Sequence, residues 1–259
     1  MSIMHKFHSW IGVILLIFLA GCTTSAPSVL VDMEIVTIQR SPVLGWMGSA
    51  MNQCAFASGI QLLVEEQISR EMKLEGADLS ISWGEPETFG AFSITLGMDS
   101  LVVIVHPDNP LVELTLEQVQ NLFAGEVRSW QPLLQECETC TSASIEAVAN
   151  LQVNMWIYPD GHEFQVVGDD ILLKGSKPYP TAHLAASPEM MLDQVAGNSS
   201  AIGLISASWL NDRVKAVSVR GFPENATRLP IVVTSMSEPS EKVKTWLYCL
   251  QGALATTQN

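Results

Sequence analysis

The residues able to do chemistry are few and far apart. Beyond the N-terminal segment, the only histidines are His106, His162 and His183, each isolated in sequence. There is no Gly-x-Ser-x-Gly elbow, no His-Glu-x-x-His pair and no glycine-rich phosphate loop, so the local signatures of serine hydrolases, zinc peptidases and nucleotide binders are missing. Triads assemble in space rather than in sequence. An extracellular enzyme therefore stays as an alternative that nothing in the chain favours. Cys137-Glu138-Thr139-Cys140 is a single Cys-x-x-Cys without a second. A four-thiolate zinc site needs both pairs, and a thioredoxin-like role needs the motif to open a helix in a βαβ unit. A loop-closing disulfide is the main reading. No metal and no cofactor are expected. The densest polar stretch is Trp156-Ile157-Tyr158-Pro159-Asp160-Gly161-His162-Glu163-Phe164. Pro-Asp-Gly is a turn signal, and His162 reads as a turn residue, a ligand donor or a pH-sensitive latch.

Such residues need elements to hold them. A first strand is expected over 32–39. Ser41-Pro42 then suits a helix start, with Ser as cap and Pro in the first turn, and 43–71 reads as helical with a break near Gly59. Leu79–Trp83 and 94–96 read as short strands. The run 101–105 is apolar and β-branched, as in a strand buried on both faces. Pro107, Asn109 and Pro110 stop it. Thr115 and Gln118 form a capping box for a helix over 116–124, with Leu116, Val119, Leu122 and Phe123 on one face and Gly125 as its stop. A strand over 153–158 precedes the polar stretch. Ser187-Pro188-Glu189 opens a helix bearing Met190, Met191 and Val195, which Gly197 ends. Strands over 201–206, 214–219 and 230–233 and a helix over 240–254 complete an α/β chain. Trp130 and Trp156 read as packing residues.

Two stretches carry a resemblance. Residues 101–130, LVVIVHPDNPLVELTLEQVQNLFAGEVRSW, and Ala201-Ile202-Gly203-Leu204-Ile205-Ser206 are similar to the crossover and closing strands of the type 2 periplasmic solute-binding proteins, in particular their phosphate-binding branch. That resemblance implies a two-lobed α/β fold with two crossover strands: lobe I from 32–107 plus 207–259, with 214–219 leading back into it, and lobe II from 108–206. It implies a ligand held between the lobes, where unpaired backbone N–H groups favour an anion. The positions it points to are Ser41; Ser82 and Trp83, after Asp78; and Tyr158, Asp160, Gly161 and His162. It also implies that Cys54 and Cys249 sit on helices of one lobe and can be bridged. The chain departs from the phosphate-binding pattern in one place. An Arg followed by Ser-Gly-Thr is expected there, but Tyr158 stands near the Arg position, Gly161 remains, and the Ser and Thr are gone. Asp160 and Glu163 add carboxylates, with Glu85 and Glu87 for the facing wall. Like charges in a low-dielectric cleft repel by on the order of several kcal/mol. Phosphate by resemblance therefore stands against an organic ligand with an apolar face, for which Trp83 is a suitable wall. Implied partners are the small ligand and an ABC transporter permease. The rival is a degenerate module that senses or docks without transport.

The N-terminal segment gives an address. Lys6 precedes a short apolar run over 10–20, then Leu19-Ala20-Gly21-Cys22. The run is too short to span a bilayer comfortably and reads as a signal peptide over 1–21. Its end resembles a bacterial lipobox, which implies cleavage before Cys22 and diacylation of that thiol, with 22–31 as a polar tether. The expected location is extracytoplasmic, lipid-anchored to a bacterial membrane, with the protein a monomer. The formal charge of the 259-residue chain is −14, and loss of Lys6 with the leader makes it one unit more negative. That acidity argues against nucleic acid as a partner.

Overall fold

The computed structural model describes residues 33–137, 140, 146, 148, 150–174 and 177–257. The leader, the tether and Cys22 lie outside the described residues. Strand β1 (Glu34–Arg40) runs into a 3₁₀ turn, Pro42–Met47, whose first residue is the expected proline. Helix α1 (Gly48–Ser58) follows and ends at Gly59, whose φ of 67° is the left-handed cap that glycine takes without strain.

The helix reading for 43–71 fails beyond that glycine. Residues Ile60–Glu66 form strand β2, parallel to β1 through seven consecutive pairs from Glu34↔Ile60 to Arg40↔Glu66. As an edge strand β2 buries only Ile60 fully, and Leu63 and Val64 both stay exposed. It therefore lacks the alternation that marks a strand in sequence.

Strands β3 (Leu79–Trp83) and β4 (Phe92–Val105) come next. The two short strands expected at 94–96 and 101–105 are one element, and it belongs to both halves of the sheet. Its first part, Phe92–Ser100, pairs antiparallel with β10 (Arg228–Ser235). Its second part, Leu101–Val105, pairs antiparallel with β8 (Ala201–Ser206).

Beyond β4 lie β5 (Glu113–Thr115) and helix α2 (Leu116–Phe123). The capping box is formed: Gln118 N–H donates to Thr115 Oγ1 at 3.1 Å, and Thr115 N–H donates to Gln118 Oε1 at 2.8 Å. Strand β6 (Asn154–Ile157) precedes helix α3 (Glu163–Gly168) and a π-helical turn, Asp169–Leu173. Strand β7 (His183–Leu184), helix α4 (Pro188–Ala196), β8, β9 (Lys215–Arg220), β10 and helix α5 (Glu241–Thr257) follow.

Among the described residues the strands form one sheet in the order β2-β1-β3-β10-β4-β8-β6-β7, with β9 on β4 and β5 on β9. Segment 214–219 was expected to lead back into the first lobe. Instead β9 pairs with Val103–Val105 of β4 and with β5, so it stays hydrogen-bonded to the second half. The chain returns at β10, which inserts between β3 and β4.

Helices α1 and α5 cover the first half. They are joined by a Cys54–Cys249 disulfide with Cα atoms 5.7 Å apart and by Trp246 Nε1 donating to Met51 O at 3.1 Å. The Cys137–Cys140 pair is also bonded. Trp130 is fully buried and donates from Nε1 to Ser200 O at 3.0 Å, a packing role as expected. Trp156 stacks on His183.

Candidate functional site

The site begins where β1 and β3 end and the chain reaches the loop after β6. Ser41 is completely buried directly after β1. Its N–H is held by Ile81 O of β3 at 3.0 Å, which fixes the hydroxyl at the sheet end. That hydroxyl donates to Glu163 Oε2, on the first residue of α3. The other carboxylate oxygen, Oε1, accepts the Ser69 N–H at 3.0 Å. Ser69 is itself located by the Trp83 N–H, which donates to Ser69 Oγ at 3.2 Å. Both oxygens of one carboxylate from the second half are thus held by donors of the first.

The loop that presents Glu163 is built for a close approach. Gly161 has a φ of 81°, and a Cβ there would fall 2.5 Å from an Arg70 guanidinium nitrogen. The positive φ favours glycine here, and a side chain would push the Arg70 guanidinium aside. The His162 N–H donates to Pro159 O at 3.1 Å, and its Nδ1 accepts the Phe164 N–H at 3.3 Å, capping α3. Gln165 Oε1 accepts the Tyr158 N–H at 2.8 Å and ties the loop to the end of β6.

An aromatic stack backs the carboxylate. The Tyr158 and His162 rings lie face to face at 4.0 Å, Phe164 meets Tyr158 edge-on at 5.6 Å, and Trp83 meets Phe164 edge-on at 4.8 Å. Trp83 comes from the first half, so this stack also crosses the cleft. A further crossing contact is Trp209 Nε1 donating to Val43 O at 2.7 Å.

Burial sets the electrostatics. It raises the Glu163 carboxyl above its ordinary pKa, while the hydrogen bonds from Ser41 and Ser69 and the charge of Arg70 pull the other way. It lowers His162 to about 4, so the imidazole is neutral near neutral pH. It raises the Tyr158 phenol, with Glu189 adding to the shift.

A cavity of about 230 Å³ opens beside these groups, lined by Ser69, Arg70, Trp83, Gly84, Glu85, Glu87, Gly161, Glu163, Val166, Val167 and Leu229. Glu85 and Glu87 do line the wall facing the loop. Among the described residues no group of three or more His, Cys, Asp or Glu side chains could hold a metal ion.

Of the residues expected at the site, Ser41, Trp83, Tyr158, Gly161 and His162 are brought together. The Ser82 hydroxyl points into the sheet and donates to Gly84 O at 3.1 Å and Val232 O at 3.4 Å. Asp160 is exposed on the turn. Ser69, Arg70 and Phe164 were not expected at all. Glu163 was noted only as an added charge. No arginine stands near position 158; the one beside this loop is Arg70, across the cleft on a 3₁₀ turn, Ser69–Glu71, after β2. No sequence signal marked that turn, since the segment read as helix.

A family profile described as PBP superfamily domain matches residues 68–254, and the chain belongs to this family. Its fold is the two-lobed type 2 periplasmic binding protein fold. A Clostridium perfringens phosphate ABC transporter substrate-binding protein with bound phosphate superposes with a TM-score of 0.67 at 19% identity, over 86% of this chain and 98% of the other. An ABC-type phosphate transport receptor from Vibrio cholerae gives 0.54 at 16%, over 86% and 96%. The CcmR regulatory domain of Synechocystis PCC6803, in complex with 2-PG, gives 0.59 at 13%, over 88% and 99%. At these identities the likeness is one of fold. No curated protein matches the sequence. No helix among the described residues is long and apolar enough to cross a membrane.

Proposed function

We propose that this chain is an extracytoplasmic solute-binding lipoprotein. It is anchored through Cys22, captures a small ligand between two lobes and presents it to an ABC transporter permease. Lobe I is 32–107 plus 207–259 and lobe II is 108–206, except that β9 goes with the second lobe through its pairing with Val103–Val105 and β5, and the protein acts as a monomer without nucleic acid. No catalytic residue enters this reading, and the similar proteins described above are binding proteins.

The observation that carries the reading is the convergence at the cleft. The Ser41 hydroxyl, the Ser69 N–H and Arg70 all face one loop of the other half, 158–164, backed by aromatic rings. A small polar organic ligand with an apolar face fits this combination of donors and rings. Closure draws its energy from ligand contacts made only in the closed form.

The test is thermal unfolding of the purified protein against phosphate, sulfate, molybdate, amino acids, sugars and polyamines. A ligand at a hundredfold excess over its Kd stabilises the native state by about 2.7 kcal/mol, a clear rise in Tm. A shift with an organic ligand supports transport and names the class. No shift across the panel favours the second reading, a sensor or docking module that keeps the fold without transport. The Glu163 carboxylate within the cleft is the observation on that side.

A further inference from the structure

We propose that the Glu163 carboxylate is the resident anion of this cleft: it takes, from the chain itself, the place where Ser41, Ser69 and Arg70 would hold the charged group of a ligand, and so keeps small free oxyanions such as phosphate out of the wild-type site. The inference rests on the cleft reading above only in taking those three residues as a ligand-facing surface.

The geometry is that of a bound anion. Two oxygens of one group are held by two donors, a hydroxyl and a backbone N–H, and a guanidinium stands beside them. The donors and the acceptor come from opposite halves, 122 and 94 residues apart in sequence. This contact is therefore neither a local cap nor a turn. The Ser41 hydroxyl is fully buried and meets no solvent that could replace the carboxylate. The Phe164 ring, next to Glu163, is buried against Trp83, so the arm carrying the carboxylate is seated rather than loosely placed.

Tethering decides the competition. A group fixed on the same chain acts at an effective concentration of about millimolar or higher, and a free oxyanion must outcompete it. The displaced carboxylate would also remain near the entering anion, with Glu85 and Glu87 lining the same cavity. Like charges at such range oppose entry. The residue that closes the cleft is thus also the residue that selects against bare anions.

The experiment is calorimetric titration of inorganic phosphate into the full chain, as wild type and as Glu163→Ala. Wild type is expected to give no saturable heat at about 1 mM phosphate, whereas Glu163→Ala gains at least about tenfold in affinity. Adding Ser41→Ala to Glu163→Ala should remove that gain. Phosphate binding by wild type as tight as by Glu163→Ala overturns the proposal, as does a folded Glu163→Ala protein with no gain. Should Glu163→Ala not fold, hydrogen exchange at the Ser69 amide of ligand-free wild type decides. A slowed amide supports the resident carboxylate, and a freely exchanging one overturns it. Failure of the transport reading would look different: an organic panel that leaves wild type unshifted, whatever phosphate does to Glu163→Ala.

Discussion

At the scale of single residues, the cleft is a set of groups whose charge states are set by burial rather than by sequence. His162 shows this. Its imidazole sits against the Tyr158 ring, and burial lowers its pKa to about 4. As pH falls, the unfolded chain takes up the proton near the ordinary value of 6.5 while the native state refuses it. This contribution to stability is complete above about 6.5 and is lost progressively down to about 4. The buried carboxyls of Glu163 and Asp99 act with the opposite sign, because burial raises them and acid then favours the native state. A difference measurement separates the two. Between about pH 7 and about pH 4.5, wild type should lose about 2 kcal/mol more unfolding free energy than His162→Gln. Equal losses would place the imidazole in solvent. Residues of this kind were half legible. Pro-Asp-Gly announced the turn, and the resemblance put Ser41, Trp83, Tyr158, Gly161 and His162 at a cleft. Arg70 and Ser69 were hidden because their place depends on a strand edge and a 3₁₀ turn that local pattern did not disclose.

At the scale of elements, patterns were readable where an element is buried on one face or capped by its own side chains. Helix α2 is the clear case, announced by Thr115 and Gln118 and found with both reciprocal hydrogen bonds. Thr115→Ala should cost about 1 kcal/mol and appear as a lower urea midpoint at unchanged slope. Strand β2 is the contrary case. It lies at the sheet edge with Leu63 and Val64 both exposed, so partner pairing rather than periodicity makes it a strand. Helices α1 and α5 depend on a covalent tie. The Cys54–Cys249 bond closes a loop of 195 residues, worth about 5 kcal/mol in the chain-entropy account. Reduction, or replacement of both cysteines by alanine, should lower the unfolding free energy by roughly that amount, less any residual order in the unfolded chain. In the native, unreduced protein neither sulfur should react with a maleimide.

At the scale of the whole molecule, the α/β class, the crossover through β4 and most strand positions were legible, because strongly apolar runs such as 101–105 have few alternatives. The path of the return was not. Only long-range pairing shows that β9 stays with β4 and β5, and such pairing leaves no local trace. The shared strand β4 makes the halves one sheet, joined at its middle. There Asp99 Oδ1 accepts from Ser208 Oγ at 2.9 Å, tying β4 to the turn after β8. The ligand panel should thus show a single cooperative unfolding transition rather than two, with or without ligand.

The position of β10 carries a consequence for how the chain is made. It is the last strand in sequence, yet it lies between β3 and β4. Until it emerges, both of those strands face an empty slot, and α5 is not yet available to meet Cys54. The first half therefore lacks its central strand until β10 is made. It closes only when the C-terminal segment threads into its centre, a long-range step of the kind that slows folding.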